Sequence, residues 1–159
     1  MKQCTPGVCT LTLSNDIALV RLAEAVDLSV FTPVCLPDTN QTFTGQNATV
    51  LGWGGKVGVS WDTSNILQEL GGLEVLGQQE CRDILGWLSF ILTYDMLCVE
   101  REKGKTPCYG DSGGPFMVEE EDKTFTQVGV NIWSLCRFPK EPGTSGSAEV
   151  SSEWKYLVK

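Results

Sequence analysis

The sequence contains no histidine. No catalytic arrangement that depends on an imidazole base can therefore be complete within these 159 residues. Long apolar runs are also missing. Nothing approaches the ~18 consecutive apolar residues of a membrane-spanning helix, and the first 13 residues lack the basic start and apolar middle of a secretory leader. A membrane is not expected as a partner, and any export signal must lie outside this chain. Basic residues are scarce: 12 Lys and Arg stand against 20 Asp and Glu, for a net charge of -8. Nucleic acid is excluded as a partner on that ground, since phosphate binding requires a basic surface that releases counterions. No two cysteines have the CxxC spacing of zinc or dithiol chemistry, and no cofactor or metal is expected. There is no internal repeat, no low-complexity tract and no linker that would divide the chain.

With 42% apolar residues the chain has enough material for one domain with a real core. Short apolar or alternating runs recur between Gly, Pro, Asn, Asp and Ser: Ile17 to Leu22, Ala48 to Leu51, Leu67 to Leu76, Met96 to Val99, Phe116 to Val118 and Phe125 to Ile132. That rhythm predicts an antiparallel, all-β protein, and the 17 glycines suit its turns and bulges. Helix is expected only over Gln78 to Leu85 and Glu153 to Lys159, the latter placing Trp154, Leu157 and Val158 on one face. The acidic run Glu119 to Asp122 lies between two strand-like runs and reads as a solvated hairpin tip. Seven cysteines favour an oxidising compartment; because the number is odd, at least one thiol is free or bonds outside this chain. The tripeptides beginning at Asn40 and Asn47 are glycosylation sequons, in keeping with export.

The residues with the strongest chemical signal are Cys108-Tyr109-Gly110-Asp111-Ser112-Gly113-Gly114-Pro115. A serine becomes a useful nucleophile when its hydroxyl is exposed on a tight turn beside main-chain N–H groups that can hold an oxyanion, and flanking glycines permit that crowding. The string also satisfies GxSxG, the nucleophile elbow of α/β-hydrolases. Residue order separates the possibilities. In α/β-hydrolases the histidine follows the serine, and in subtilisin-like enzymes it lies between aspartate and serine, so neither site can be complete in a chain without histidine. The order His, Asp, Ser remains open, with the histidine upstream of residue 1.

Asn15-Asp16-Ile17-Ala18-Leu19-Val20-Arg21-Leu22 closely resembles the segment around the triad aspartate of the trypsin/chymotrypsin family. Further matches follow in that family's order: Pro33 to Pro37, Leu51-Gly52-Trp53-Gly54, Cys81, Met96-Leu97-Cys98, the serine string and Cys136. The resemblance covers roughly residues 14 to 142 and implies the C-terminal antiparallel barrel of a two-barrel fold, with the first barrel largely missing and a short C-terminal helix. Residues 1–13 read as a divergent N-terminal segment, and 14–159 as a partial protease domain. Carried over by position, the resemblance implies Ser112 as nucleophile and Asp16 as the buried acid that orients the base. It also implies the N–H groups of Gly110 and Ser112 as the oxyanion hole, and Asp111 as the residue that pairs with a new N-terminus after zymogen cleavage. It further implies disulfides Cys81–Cys98 and Cys108–Cys136, with Cys35 bonding to a missing N-terminal barrel or light chain. Cys4 and Cys9 match nothing in the family.

The pattern is broken in three places. The position six residues before the nucleophile, which sets charge preference in trypsin, holds Thr106, so an uncharged, apolar side chain is expected in a pocket lined by Thr106, Pro107, Ile132, Trp133 and Ser134. The register of Asn131 to Cys136 is open: counted from Cys136, Trp133 falls where a small residue leaves the pocket clear, and with a one-residue gap it becomes the family's usual tryptophan. The third break is the missing histidine, without which little beyond the oxyanion hole and binding remains. The expected function is a serine endopeptidase present as a histidine-less piece, secreted, with polypeptide substrates or protease inhibitors as partners. The alternative is a non-catalytic, protease-like binding protein.

Overall fold

The structure, a computed structural model, describes residues 2–5, 8–11, 16–55, 63–101, 106–135 and 143–149. Eight strands and one α-helix are found among them, in the order β1 Lys2–Thr5, β2 Val8–Leu11, β3 Asn47–Gly52, β4 Gln68–Leu76, α1 Gln78–Leu85, β5 Met96–Arg101, β6 Pro115–Glu119, β7 Phe125–Ser134 and β8 Gly143–Glu149. A 3-10 turn, Gly86–Ile91, continues directly from α1. No helix among the described residues is long and apolar enough to cross a membrane.

Strands β1 and β2 form a separate antiparallel pair in which Cys4 stands opposite Cys9. The other six close into an antiparallel barrel of order β3-β4-β5-β8-β7-β6, sealed by β3 pairing with β6. Closure gives every strand of the barrel a ladder neighbour on both sides. The alternating runs of the sequence supply the interior: Ala48 and Val50, Leu73 and Val75, Val99, Phe116 and Val118, and Val128 are buried together with Phe43. The alternate residues Leu76, Met96 and Cys98 face outward and are covered by Cys81, Leu85 and Leu92. This second core explains α1. Cys81 and Leu85, four residues apart, share its buried face, and Gly86, at φ 53, turns the chain out of the helix. The Cys81–Cys98 disulfide joins α1 to β5 with 6.1 Å between the Cα atoms.

Five of the six runs predicted as strands form one, and α1 has the predicted limits. The exception is Ile17 to Leu22. Residues 16–34 contain no strand, and Val20 is 84% exposed. An apolar strand is stabilised only by a ladder partner and a covered face, and no described segment offers this stretch either. The chain that follows it is bonded to β7 at Cys35, whose N–H donates to Phe125 O (2.9 Å) and whose carbonyl accepts from Gln127 N–H (2.9 Å). The acidic run forms the β6–β7 hairpin tip, where Lys123 has φ 69 and pairs with Glu119 at 3.2 Å. β8 lies in a stretch that was not among the runs predicted as strands, while the helix predicted over residues 153–159 lies outside the described residues.

Candidate active site

The serine turn is built by main-chain bonds between close-packed loops. Asp111 N–H donates to Cys108 O (3.0 Å) and Gly114 N–H to Asp111 O (3.0 Å), forming two successive tight turns with Ser112 exposed in the second. Gly110 and Gly113 adopt φ 93 and 86, the left-handed region that a side chain would strain. Gly110 also has no room for one, since an added Cβ would lie 3.2 Å from the Gly54 Cα. From the barrel side, Gly113 N–H donates to Asn131 O (2.8 Å) and Asn131 N–H to Gly114 O (2.9 Å), fixing the turn to β7. Gly55 N–H donates to Tyr109 O (2.9 Å), fixing it to the loop after β3.

Asp111 is the keystone of this arrangement. One carboxylate oxygen accepts from Gly54 N–H (2.8 Å) and the other from Cys108 N–H (2.9 Å). The carboxylate lies directly over Gly52 and Gly54, where a Cβ at either position would overlap it. That packing gives the Gly52-Trp53-Gly54 pattern a physical reason, one that the sequence alone did not reveal. Among the described residues, neither Gly110 N–H nor Ser112 N–H has an acceptor.

The pocket residues are assembled on two sides of the turn. Pro107 is buried and Thr106 half-buried before it, and Ile132, Trp133 and Ser134 are half-buried on β7. The β7–β8 ladder is irregular between Asn131 and Trp133, so the ambiguous part of the sequence register coincides with a bulge. Two buried polar atoms on β7, Asn131 Oδ1 and Trp133 Nε1, have no hydrogen-bond partner among the described residues. Asn131 was not among the expected pocket residues. Its signal was available, as a lone amide within the apolar run Val128 to Trp133.

Asp16 is placed differently from expectation. The family resemblance implies a buried residue at the start of a strand, but Asp16 is exposed, in irregular chain, and bonded to no other described residue. Burial requires covering elements, and the apolar residues that follow, Leu19, Val20 and Leu22, are themselves exposed. Cys35 carries a free, exposed thiol. Cys108 is disulfide-bonded, and Cys136 lies outside the described residues. Asn40 is exposed in a turn at φ 75, and Asn47 is exposed at the first position of β3. No cluster of potential metal ligands occurs among the described residues.

A closed six-stranded barrel with a glycine-framed serine turn on its rim defines a class of hydrolase domain, and comparison with known proteins identifies which one. The trypsin family model matches residues 3–154. The chain belongs to the trypsin family of serine proteases. It is 29% identical over 154 residues to serine proteinase stubble of Drosophila melanogaster, an alignment covering 94% of this chain and 19% of that protein. It is 33% identical over 143 residues to phenoloxidase-activating factor 1 of Holotrichia diomphalia, covering 88% of this chain and 38% of that protein. The chain thus spans well under half the length of either relative.

Proposed function

We propose that this chain carries the nucleophile half of a secreted serine endopeptidase, which cleaves peptide bonds through an acyl-enzyme on Ser112. The observation that carries the proposal is the turn itself: Ser112 is exposed between two left-handed glycines, the N–H groups of Gly110 and Ser112 have no described acceptor, and Asp111 is fastened from beneath. In this reading those two N–H groups receive the oxyanion, each contributing roughly 3 kcal/mol to the transition state. Asp16 orients an imidazole supplied by polypeptide outside this sequence, and Cys35 forms the covalent link to it. Thr106 gives the pocket no charge with which to hold Lys or Arg, so the preferred substrate side chain is uncharged. Asn40, exposed in its turn, is the glycan acceptor with the fewest structural constraints.

A second reading, a protease-like protein that binds without cleaving, is favoured by two observations: the absence of histidine and the exposed, unbonded Asp16. A fluorophosphonate probe separates the two. Such probes react only with an activated serine, so the isolated chain should label weakly. A longer form bearing an upstream histidine should label strongly at Ser112, and Ser112→Ala should abolish the signal. A longer form that contains a histidine and still fails to label would establish the binding role.

A further inference from the structure

The pair β1 and β2 stands apart from the barrel as a sheet of two strands. Strands of four residues each bury no core of their own, and an isolated two-stranded sheet is marginally stable in water. The ladder nevertheless has a regular register, with Thr5 opposite Val8, Cys4 opposite Cys9, Gln3 opposite Thr10 and Lys2 opposite Leu11. Only Pro6 and Gly7 separate the two strands in the sequence. Where antiparallel strands are joined through two residues, the pair flanking the connection exchanges both main-chain hydrogen bonds. Pairs further along the ladder then alternate between non-bonded and bonded. Thr5 and Val8 are the flanking pair, so Cys4 and Cys9 occupy a non-hydrogen-bonded position. At such positions the Cα atoms stand about 4.5 Å apart, within the roughly 4.4 to 6.8 Å that a disulfide spans.

The other cysteines narrow the choice of partner. Cys81 is joined to Cys98, Cys108 is disulfide-bonded, and Cys35 carries a free, exposed thiol. Of the seven cysteines this leaves Cys4, Cys9 and Cys136, and the family resemblance gives Cys136 to Cys108. We propose that Cys4 and Cys9 form a cross-strand disulfide, a covalent site for which the trypsin family offers no counterpart. The oxidant is a small-molecule disulfide such as oxidised glutathione. One cysteine thiolate attacks it and expels a glutathione thiolate, and the second attacks the resulting mixed disulfide and expels the other. Two protein thiols thereby lose two protons and two electrons, and one glutathione disulfide becomes two molecules of glutathione. The bond ties β1 to β2 where packing does not, and β2 ends at Leu11, shortly before Asp16. It also leaves Cys35 as the one thiol open to an external bond, so the covalent link proposed for Cys35 has no competitor at Cys4 or Cys9.

The test uses the full chain, equilibrated in glutathione buffer, alkylated with iodoacetamide without reduction and digested with trypsin. Cleavage after Lys2 and Arg21 releases residues 3–21, a peptide that holds Cys4 and Cys9 and no other cysteine. In mass spectra it should be unalkylated and lighter than its dithiol form by the two hydrogens lost. It should take up a carbamidomethyl group at each cysteine only after reduction. Cys35 should be the single position alkylated beforehand. Nearness in sequence also favours such a bond, so the equilibrium with glutathione is measured again in concentrated urea, where the register is lost. The constant for forming the bond should be about tenfold larger or more in the native chain, because the ladder holds the two residues at bonding distance. Alkylation of Cys4 and Cys9 before reduction, a peptide 3–21 joined to that of Cys35 or Cys136, or equal constants in buffer and in urea would overturn the inference. Ser112 takes no part in these measurements, so their outcome is independent of the fluorophosphonate experiment.

Discussion

Asp111 and Gly54 illustrate how a site can depend on an atom that is not there. The carboxylate fills the space a Gly54 side chain would occupy and takes the Gly54 N–H at 2.8 Å. Gly54→Ala must push Asp111 out, losing main-chain bonds to a carboxylate and adding overlap in a packed region. The expected destabilisation is about 2 kcal/mol or more. Gly45→Ala provides the comparison: φ is 81 there, but a Cβ would meet nothing within 4 Å, so only backbone strain of about 1 kcal/mol is expected. Urea unfolding of the two variants measures the difference. A Gly54→Ala cost no greater than that of Gly45→Ala would mean that the carboxylate is not anchored as described. The serine and its glycines were legible in the sequence because the chemistry demands those residue types side by side. The roles of Gly52 and Gly54 were not, because they act on a residue more than 50 positions away.

At the scale of elements, the α1–β5 unit combines a constraint with an internal conflict. Its disulfide closes a separation of 17 residues, which corresponds to about 3 kcal/mol through restriction of the unfolded chain. Replacing Cys81 and Cys98 together by alanine should lower urea-derived stability by about that amount, and dithiothreitol, which also reduces the disulfide of Cys108, should lower the stability of the unmodified chain further. The conflict lies on the same strands, where Glu74 of β4 stands directly opposite Glu100 of β5. Partial burial first, then the charges of Glu80 and Glu74, raises the Glu100 pKa above its ordinary 4.5. The folded state therefore holds this proton more tightly than the unfolded state. Stability falls as pH rises from about 4.5 through the raised value, and remains lower beyond it. Glu100→Gln should flatten that slope and raise the urea midpoint at pH 7, leaving the midpoint at pH 4 nearly unchanged. Five of the six barrel strands were legible from apolar runs, since their burial is local and alternating, whereas the polar β8 was not. Ile17 to Leu22 has an equally good apolar pattern and forms no strand, because periodicity records which face could be covered and not whether anything covers it.

For the molecule as a whole, the decisive feature is the contrast between a sealed barrel and an uncovered strap. Residues 16–36 leave Leu28, Val30 and Phe31 each more than 60% exposed, although they carry the apolar content of a core. Contiguous exposed apolar surface of this kind marks a site of association, and both relatives are much longer than this chain. The isolated chain should therefore self-associate with rising concentration, which sedimentation velocity would register as a shift from monomer to larger species. Because the strap contributes no strand to the barrel and is bonded to it at Cys35, Val20→Ser combined with Phe31→Ser should suppress the association. The barrel's unfolding midpoint should stay within about 0.5 kcal/mol of the unmodified chain, as for surface substitutions away from packed features. A marked loss of barrel stability in that variant would show the strap to be part of the fold, whereas a chain that stays monomeric throughout would remove the need for a covering partner. Under the two-part reading of the active site, that partner also delivers the imidazole, so suppression of self-association and gain of Ser112 reactivity should occur together when the missing half is supplied.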